Sequence, residues 1–510
     1  MPHKVKMPER DAKERSRDFL QVNTGYTREQ MLEEAKRCLQ CKKPLCVAGC
    51  PVEIDIPGFI KELSKDNPAE AIKVLKRKNN LPAVCGRVCP QENQCEKVCI
   101  LAKKGEAVGI GNLERYAADW ELKRQSEEWR VKSEDTTKTF LSSLRGNEGT
   151  MSQVPEAIQS SCSISTPHSS LSTLSKVAVV GSGPSGLTCG GDLAKLGYDV
   201  TIFESLHDTG GVLRYGIPEF RLPIDVLDAE INSLKEMGIK FVLNTLVGRT
   251  KTIKDLFAEG FKAVFVGTGA GLPVFLGIEG ENLNNIYSAN EFLVRVNLMR
   301  SFDFPNYDTP VYKGKKVVVV GGGNTAMDSA RTALRLGAES VKLVYRRTEH
   351  EMPARKEERH HALEEGIEFV TLTNPVRFIG DDKGFVKGVE CIKMELGEPD
   401  ESGRRKPKAV PNSNFVIDAD MAVLAIGLNP NPVLPSLTEG LKTDDHGYLI
   451  IDDNYMTSIP GVFAGGDIVG GDTVIQAMGM GKQAAKRIAE YLNGDAGMRR
   501  CEDAKQQQKA

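Results

Sequence analysis

The pattern of apolar and polar positions changes near residue 176. From Lys176 onward, short apolar runs alternate with helical patterns. Seven of the runs predict buried strands: KVAVVG, DVTIFE, AVFVGTG, KVVVVG, SVKLVYRR, MAVLAIG and GVFAGGD. Continuous apolar strands that alternate with helices are typical of parallel, doubly wound sheets with both faces covered. The sequence therefore predicts an α/β fold for this part of the chain.

Residues 1–125 follow a helical pattern instead. In YTREQMLEEAKRCLQC, apolar residues recur at helical spacing, and Thr27 stands three residues before Gln30 as an N-cap. Between the two parts, 126–175 has no apolar period, and eleven of the 24 residues from Ser152 to Ser175 are Ser or Thr. This composition predicts a flexible linker or surface excursion, with a short embedded strand or helix as the alternative. The polar stretch 495–510 predicts a frayed tail.

The overall charge excludes some functions. Lys and Arg number 67, Asp and Glu number 69, and the formal net charge is −2, so nothing favours nucleic acid or an anionic membrane as partner. No apolar run approaches the roughly 18–20 residues of a spanning helix, and the polar start is unlike a signal peptide. We therefore expect a cytoplasmic protein. Its length of 510 residues predicts several domains.

Cysteine is distributed unevenly, since eight of the 12 lie between Cys38 and Cys99. The spacings are Cys38-x2-Cys41-x4-Cys46-x3-Cys50-Pro51 and Cys85-x3-Cys89-Pro90-x5-Cys95-x3-Cys99. A disulfide scaffold suits short secreted chains, and a zinc site is a second alternative. Short spacings that end in Cys-Pro are instead typical of [4Fe–4S] binding, and no His falls in this region to complete a mixed zinc site. Eight cysteines suffice for two clusters.

The first glycine motif runs from Gly181 through Gly183, Pro184 and Ser185 to Gly186, between a predicted strand and a predicted helix. Gly181 permits a tight turn, Gly183 lets the backbone approach a pyrophosphate, and Gly186 allows close packing of helix on strand. Glu204 ends the next strand, where a carboxylate can accept hydrogen bonds from ribose hydroxyls. This context predicts a dinucleotide site, although the glycines could serve turns alone.

A second motif has Gly321, Gly323, Asn324, Thr325 and Ala326 in the same strand-to-helix context. The strand that follows ends in Arg346 and Arg347 and carries no acidic residue. Guanidinium groups attract a 2′-phosphate, so NADP(H) is favoured over NAD(H). The alternative is that the two arginines begin a solvated charged face.

A third signal follows the strand GVFA, where Gly466 precedes Asp467 and a helix is predicted to begin near Thr473. In flavoproteins with two dinucleotide-binding domains, such an Asp contacts the flavin ribityl chain, and the positive helix end stabilises negative charge on reduced flavin. The pattern predicts a split FAD domain, 176–290 and 420–494, with an NADPH domain inserted at 291–419. Gly269 in VGTGA and Gly427 in AIG mark the predicted crossings between them.

The cysteine pattern, together with CGRVCPQENQCEKVC, GIGNLERYAADW and GGVLRYGIPEFRLP, resembles the small (beta) chain of NADPH-dependent glutamate synthase. It is also similar to the N-terminal half of dihydropyrimidine dehydrogenase and to the large subunit of electron-bifurcating ferredoxin:NADP oxidoreductase. The resemblance implies that Gly211 and Arg221, both within GGVLRYGIPEFRLP, belong to the flavin site. The sequence departs from the family pattern only in the Ser/Thr-rich stretch.

The resemblance also implies an interleaved set of cluster ligands, which spacing alone does not show. One cluster would use Cys38, Cys41, Cys46 and Cys99. The other would use Cys50, Cys89, Cys95 and the carboxylate of Glu114, where spacing alone would assign Cys85.

These parts predict a path from NADPH to FAD, to the [4Fe–4S] clusters and to an external acceptor, or its reverse. No side-chain acid or base is needed for hydride transfer, so no catalytic residue is predicted. A disulfide reductase would need a cysteine pair beside the flavin, whereas Cys189 stands alone in the first motif helix. A nucleotide-binding scaffold without activity is a further alternative.

The acceptor stays open at this point. The possible acceptors are a glutamate synthase large chain, a ferredoxin-linked flavoprotein of a bifurcating complex, or a small molecule used by a stand-alone enzyme. An oligomer is possible. Glutamate synthesis also needs an amidotransferase and an FMN barrel, for which the predicted domains leave no room.

Overall fold

The computed structural model describes residues 3–145, 175–399 and 403–507, without the side chains of 128–145 and 495–507. The predicted Ser/Thr-rich stretch from 146 to 174 lies outside the described residues. Within the described part, no helix combines the length and apolar character needed to cross a membrane.

The helices include several of one turn, and short 3₁₀ or π turns lie between some of them. The α-helices are α1 (Ala12–Arg15), α2 (Arg28–Lys36), α3 (Leu45–Ala48), α4 (Ile56–Ser64), α5 (Pro68–Lys76), α6 (Pro82–Val88), α7 (Ile110–Arg145), α8 (Pro184–Lys195), α9 (Val212–Tyr215), α10 (Ile224–Glu236), α11 (Ile253–Ala258), α12 (Ala289–Leu293), α13 (Asn324–Arg335), α14 (Lys356–Glu364), α15 (Val433–Leu437) and α16 (Val474–Gln507).

All described strands follow residue 175, as the hydrophobic pattern predicts. They are β1 (Lys176–Val180), β2 (Asp199–Phe203), β3 (Lys240–Val242), β4 (Phe261–Val266), β5 (Ala270–Pro273), β6 (Ile286–Ser288), β7 (Lys316–Val320), β8 (Ser340–Val344), β9 (Glu368–Val370), β10 (Thr373–Gly380), β11 (Val386–Pro399), β12 (Arg405–Ala409), β13 (Phe415–Asp418), β14 (Met421–Leu424), β15 (Leu428–Pro430) and β16 (Val462–Ala464).

Two helices extend beyond their predicted ends. The predicted linker begins at 126, but α7 continues to Arg145, because 126–145 contains neither Gly nor Pro to end it. The predicted frayed tail begins at 495, but α16 continues to Gln507, since the strong helix formers Met, Arg, Ala, Lys and Gln predominate there. At the other end of the chain, Thr27 caps α2 in a capping box with Gln30, as predicted.

Two five-stranded parallel sheets form the α/β part. The first has the order β16-β4-β1-β2-β3, and the second has the order β6-β14-β7-β8-β9. In the first sheet Val180 pairs with Phe203 on one side and with Val266 on the other. The carboxyl ends of these strands therefore meet at one edge, where Gly181, Glu204 and Asp467 follow β1, β2 and β16. An antiparallel layer of β10, β11, β12 and β13 adjoins the second sheet.

The boundary between the two α/β units differs from the prediction. We expected 286–288 and 421–424 in the first unit, but β6 and β14 are strands of the second sheet. Pairing explains the placement of β14, because Ala422 lies between Val318 of β7 and Ile286 of β6, which gives this fully buried strand a partner on each side. The chain crosses between the units through the antiparallel ribbon of β5 and β15, directly after Gly269 and Gly427.

The N-terminal helices are not a separate globule. One continuous apolar core joins Phe59 and Leu75 of these helices to Leu187 of α8 and Ile488 of α16. The second sheet has its own core around Met327 and Leu343. A buried guanidinium, Arg15, ties the N-terminal segment to the second unit through ion pairs with Glu364 at 2.7 Å and Glu365 at 3.0 Å.

Candidate functional site

The first cavity lies at the carboxyl edge of the first sheet and has a volume of about 650 Å³. Most of the residues predicted for a flavin nucleotide line it: Gly181, Gly183, Pro184, Ser185, Glu204, Gly211, Gly269, Gly427, Asp467 and Thr473. Gly186 and Gly466 lie behind this wall, and each allows a close approach. A side chain at Gly186 would meet the carbonyl oxygen of Gly181, and a Cβ at Gly466 would lie 2.7 Å from Ser185 Oγ.

The turn after β1 is shaped for a ligand that approaches the backbone. Gly181 has a φ of +100°, and a Cβ there would lie 2.5 Å from the carbonyl oxygen of Gly267. A Cβ on Gly183 would instead meet nothing within 4 Å, which leaves its backbone open to the cavity. Gly183 is also the N-cap of α8 and gives it no side-chain cap, so the first N–H groups of the helix are available to an anion.

Glu204 is fixed towards this turn. Its Oε2 accepts hydrogen bonds from the backbone N–H and the hydroxyl of Ser182 at 2.9 and 2.6 Å, and its Oε1 accepts from the N–H of Leu206 at 2.9 Å. These bonds hold a buried carboxylate at the end of β2, beside the glycine turn. The position suits recognition of ribose hydroxyls.

The start of α16 forms the far wall of the first cavity. Thr473 Oγ1 accepts a hydrogen bond from the N–H of Gln476 at 3.3 Å, so Thr473 caps this helix. Asp467 lies nearby, and burial, followed by the charge of Asp472, raises the pKa of its carboxyl to about 6. A neutral Asp467 could donate a hydrogen bond into the cavity as well as accept one.

A second cavity, of about 760 Å³, lies at the carboxyl edge of the second sheet. It is lined by the predicted residues Gly321, Gly323, Asn324, Thr325, Arg346 and Arg347. A Cβ on Gly323 would meet nothing within 4 Å, and Gly323 is the N-cap of α13 and gives it no side-chain cap, which repeats the arrangement at Gly183. Ala326 does not line the cavity but is buried in the core of the second unit.

The arginines of the second cavity differ in their surroundings. Arg346 is exposed, whereas Arg347 is buried and its Nε donates to the carbonyl oxygen of Arg405 at 2.8 Å. Arg404, from the turn before β12, lines the cavity with them. Sequence reasoning missed Arg404, for which the only signal is the basic run RRKPK. Three guanidinium groups at the wall favour an anionic ligand.

Arg221 lies at the wall of the second cavity rather than the first. Its Nη1 donates to both carboxylate oxygens of Asp328 at 2.9 and 2.7 Å, and its Nε lies 3.2 Å from Glu358. A buried guanidinium needs such carboxylate partners, and both belong to the second unit. Arg221 therefore joins the two units.

The two cavities meet. Val212, Tyr215, Asn290, Thr325, Gly427, Leu428, Asp472, Thr473 and Val474 line both of them. The N-terminus of α16 thus lies at the junction, where ends of two bound nucleotides could come together. The second cavity also reaches Val88 and Pro90, which flank Cys89 of the N-terminal helices.

Four cysteines form one group near the surface. Cys38, Cys41, Cys46 and Cys99 line the same small cavity, whose inner wall is apolar. Burial raises the pKa of the Cys46 thiol to about 11, and the neighbouring Cys38 and Cys99 add to this rise. Four thiols that face one apolar space suit an iron–sulfur cluster.

A second group is fully buried. Burial raises the pKa of the Cys89 thiol well above its usual range, and negative charge on Glu114 and Cys50 raises it further. Cys89, Cys50 and Glu114 act in the same way on Cys95, so these four groups lie together. Glu114 accepts a hydrogen bond from Asn79 at 2.8 Å, and burial, with a smaller contribution from Glu230, raises the pKa of its carboxyl to about 8.

Cys85 also lies beside this second group. It is 1% exposed, its Sγ lies 3.5 Å from Met478 Sδ of α16, and Glu114 and Cys89 are among its charged neighbours. The structure thus brings both Glu114 and Cys85 close to Cys50 and Cys89.

Known proteins resemble the chain over nearly its whole length. Residues 15–126 match the family described as dihydropyrimidine dehydrogenase domain II, 4Fe-4S cluster, and 166–484 match the pyridine nucleotide-disulphide oxidoreductase family. The glutamate synthase [NADPH] small chain of Halomonas elongata is 36% identical over 94% of this chain and 95% of the relative. The chain belongs to the glutamate synthase small-chain family.

Other known proteins resemble the chain as well. The NADP(+)-dependent formate dehydrogenase subunit beta of Moorella thermoacetica is 38% identical over 88% of this chain and 60% of the relative. The solved structure of Mycobacterium tuberculosis FprA in complex with NADPH matches with a TM-score of 0.54 and 20% identity, over 64% of this chain and 86% of that one. At this identity the likeness concerns the fold alone, and it agrees with the predicted doubly wound sheets.

The chain offers fitting donors for each group that its family implies. The open backbones at Gly183 and Gly323 lie at helix starts without side-chain caps, as two pyrophosphates require. The eight clustered cysteines fall into one group of four beneath the surface and one buried group with Glu114. The chain is an oxidoreductase whose cofactors are FAD, NADP(H) and [4Fe–4S] iron–sulfur.

Proposed function

We propose that the chain oxidises NADPH and passes the electrons through FAD and two [4Fe–4S] clusters to a separate acceptor protein. The observation that carries this proposal is the position of α16. The helix begins where the two nucleotide cavities meet, and it continues past the buried cysteine group, touching Cys85 through Met478. When bound, FAD supplies a two-electron hydride acceptor that can release electrons singly to clusters. Each NADPH yields NADP⁺, a proton and two electrons, which suffice for two one-electron acceptors.

The first cavity would hold FAD. The backbone at Gly181 and Gly183 and the first N–H groups of α8, with Pro184, Ser185 and Gly186 in its first turn, would bind the pyrophosphate. Glu204 would accept hydrogen bonds from ribose hydroxyls. Asp467 would contact the ribityl chain, supported by the left-handed backbone of Gly466, whose φ is +87°. Gly211, Gly269, Gly427 and Thr473 would complete the wall.

The second cavity would hold NADP(H). Gly321, Gly323, Asn324 and Thr325 would bind its pyrophosphate at the start of α13, where Ala326 packs the helix against the strand. Arg346 and Arg347 would bind the 2′-phosphate with Arg404 beside them. Arg221 would hold the two units together through its ion pair with Asp328.

The cysteine groups would hold the clusters. Cys38, Cys41, Cys46 and Cys99 would bind the outer cluster. Cys50, Cys89 and Cys95 would bind the inner one, with Glu114 as the fourth ligand. In this arrangement the electrons would pass from the junction of the two cavities to the buried group, and from there to the group near the surface.

The functional units follow from these assignments, with boundaries moved to the crossings. The cluster unit would comprise the described residues from the start of the chain to the end of α7. The FAD unit would contain β1 to β4 and the chain after β15, and the NADPH unit would contain the chain between β5 and β15.

Relatives named as a small chain or a subunit beta indicate a partner subunit. We propose a glutamate synthase large chain for this role, since the relative from Halomonas elongata matches over nearly the whole of both chains. On this proposal the chain alone makes no glutamate from glutamine, because the amidotransferase and the FMN barrel that the reaction needs would belong to the large chain.

The test uses purified holoenzyme under anaerobic conditions. We expect FAD, iron and acid-labile sulfide in the preparation, and bleaching of the flavin absorbance by NADPH but far less by NADH. Addition of a glutamate synthase large chain should then produce glutamate. Protein without FAD, or with iron but no sulfide, would contradict the proposal, and bleaching without glutamate would remove only the partner.

A further inference from the structure

The chain passes between the FAD unit and the NADPH unit only twice, through the paired strands β5 and β15. These strands have four and three residues, and a ribbon of this size could act as a hinge. Hydride transfer requires the two nucleotides to be in contact, so the orientation of one unit against the other decides whether it can occur. Contacts outside the ribbon must therefore hold that orientation.

Phe220 reaches from the FAD unit into the NADPH unit. It lies between α9 and α10 and is 1% exposed, and the guanidinium carbons of Arg331 and Arg335 lie 4.7 and 3.9 Å from the centre of its ring. Both arginines belong to α13, the helix whose first turn lines the second cavity. A cation is attracted to an aromatic face, and more strongly where both are removed from water. Phe220 therefore holds the carboxyl-terminal half of α13 against the FAD unit.

A second contact on the same arginines comes from the N-terminal segment. Arg15 is 1% exposed, and its Nε donates to Glu365 Oε1 at 3.0 Å, directly after α14. Arg331 and Arg335 donate to the same carboxylate at 2.8 and 2.7 Å. Glu365 therefore joins Arg15 to the two arginines that contact Phe220.

The N-terminal segment also contacts the FAD unit, which closes the arrangement. The N–H of Val22 donates to the carbonyl oxygen of Phe220 at 3.0 Å. The ring of Phe19 lies 6.4 Å from that of Phe220 and stacks at 4.5 Å on Phe302 of the NADPH unit. The central residues of this arrangement, which we call the clamp, are Arg15, Phe220, Arg331, Arg335 and Glu365.

We propose that the clamp holds the NADPH unit in the orientation in which the two cavities meet, so that hydride transfer needs no rotation of one unit against the other. This inference rests on the proposed function, because it concerns how the two nucleotides come into contact. Rotation about the ribbon would separate Phe220 from its two arginines, and separating buried ionic partners is strongly unfavourable. Arg15 and Phe220 line neither cavity, so they are positioning residues, whereas Arg221 lines the second cavity and is a less specific probe.

The first test measures the orientation itself, as the distance between two nitroxide labels in pulsed electron paramagnetic resonance. The labels are attached at Lys240→Cys on β3 of the FAD unit and at Lys387→Cys on β11 of the NADPH unit, which replace exposed lysines. The holoenzyme used also carries Cys162→Ser and Cys501→Ser. We expect one narrow distance that is the same with and without NADP⁺. Two distances, or a distance that changes with NADP⁺, would overturn the proposal.

Arg15→Ala and Phe220→Ala should each loosen the NADPH unit. We expect a broader distribution of distances in the labelled protein. In the unlabelled holoenzyme the limiting rate of flavin reduction by NADPH should fall about tenfold to a hundredfold, since a displacement of about 1 Å is sufficient for such a loss. The NADPH concentration that gives half of this rate should change less than twofold, because neither residue lines the cavity. Arg15→Lys keeps the positive charge and should recover most of the rate.

Each of these two variants has a matched control. Arg377→Ala removes an exposed guanidinium that pairs within the NADPH unit, and it changes the net charge by the same amount as Arg15→Ala. Phe261→Ala removes a buried ring from the core of the FAD unit, where it contacts Phe203 of the same unit. Both controls should keep the narrow distance and the wild-type limiting rate, although Phe261→Ala lowers the free energy of unfolding. Equal slowing in the controls, or an unchanged distance and rate in both clamp variants, would overturn the proposal.

The two readouts also separate the clamp from the proposed function. If the labels give one distance but NADPH does not bleach the flavin of the wild type, the proposed function is wrong while the fixed orientation is confirmed. If NADPH bleaches the flavin but the distance changes on addition of NADP⁺, only the clamp is wrong.

Discussion

Gly479 of α16 lies directly against Pro51, the residue after Cys50. A Cβ built on Gly479 would lie 2.9 Å from both the Cβ and the carbonyl oxygen of Pro51. Only a glycine lets the helix approach this loop so closely. Because the same helix begins at the junction of the two cavities, this contact sets how near the buried cysteine group lies to the proposed flavin site.

Gly479→Val should therefore push the loop of Cys50 away from α16. Overpacking of this kind costs about 1–3 kcal/mol, and we expect a matching fall in the free energy of unfolding. Reduction of the flavin by NADPH should stay near wild type, while the following reduction of the clusters becomes slower. Stopped-flow absorbance separates the two phases.

Gly494→Val is the matched control, because it lies on the same helix and a Cβ there meets nothing within 4 Å. If both variants slow the cluster phase equally, or if Gly479→Val slows neither phase, the contact with Pro51 does not set the distance between the buried cysteine group and the proposed flavin site.

Features encoded over short stretches could be predicted from the sequence. The strands before Gly181 and Gly321 and the cap at Thr27 depend on neighbouring residues, and the structure has them as expected. The membership of β6 and β14 in the second sheet could not be predicted in this way. Their partners lie about a hundred residues or more apart in the chain, and parallel pairing leaves no local signal.

The same limit applies to the candidate site. The grouping of Cys99 with Cys38, Cys41 and Cys46 needs two helical segments to be packed together, and only the family resemblance implied it. Arg404 reaches the second cavity from the turn between β11 and β12, a position that no spacing rule connects with Gly323.

Gly183→Ala and Gly323→Ala should each weaken the binding of a different nucleotide. Neither new Cβ would meet an atom of the protein, so the free energy of unfolding of the cofactor-free protein should change by less than about 0.5 kcal/mol. Each methyl group would instead occupy the space where a pyrophosphate approaches. We expect Gly183→Ala to lose FAD, measured by flavin absorbance, and Gly323→Ala to keep FAD but raise the KM for NADPH.

The two variants act as controls for each other. Loss of flavin in both, or unchanged binding in both, would contradict the assignment of the cavities.

Arg346→Gln should reduce the preference for NADPH over NADH. A hydrogen bond to a charged group contributes about 1.5–3 kcal/mol, so we expect the KM for NADPH to rise about tenfold to a hundredfold. The KM for NADH should stay unchanged, and steady-state flavin reduction with both nucleotides measures the two values. Arg346 suits this test better than Arg347, whose bond to Arg405 links strand ends. An equal rise for both nucleotides would argue against contact with the 2′-phosphate.

Glu114→Ala and Cys85→Ala should show which residue completes the inner cluster. Cys85 directs its sulfur to Met478, while Glu114 is oriented by Asn79. We therefore expect Cys85→Ala to keep its full content of iron and acid-labile sulfide, and Glu114→Ala to lose about half of both, as for one of two clusters. The opposite pattern in these analyses would assign the ligand to Cys85.

Glu230 should make stability depend on pH. Its Oε1 accepts a hydrogen bond from the N–H of Ala83 at 2.9 Å, its Oε2 has no partner, and burial raises its pKa from 4.5 to about 8. Between these two pH values the folded protein keeps a proton that the unfolded chain has released, so the free energy of unfolding falls as the pH rises. Glu230→Gln removes this dependence. From pH 6 to pH 9 the free energy of unfolding of Glu230→Gln should rise relative to wild type by roughly 3 kcal/mol, and its Tm should rise relative to wild type in step.

Glu236→Gln is the matched control for this change, because Glu236 is exposed on the same helix, α10. Its Tm should follow that of the wild type from pH 5 to pH 9 in thermal melts. A difference between Glu230→Gln and wild type that does not grow with pH would mean that Glu230 is ionised in the folded protein. The buried charge would then have to be balanced by a cation near Ala83, and the nearest basic groups, Lys76 and Arg87, would be the residues to substitute next.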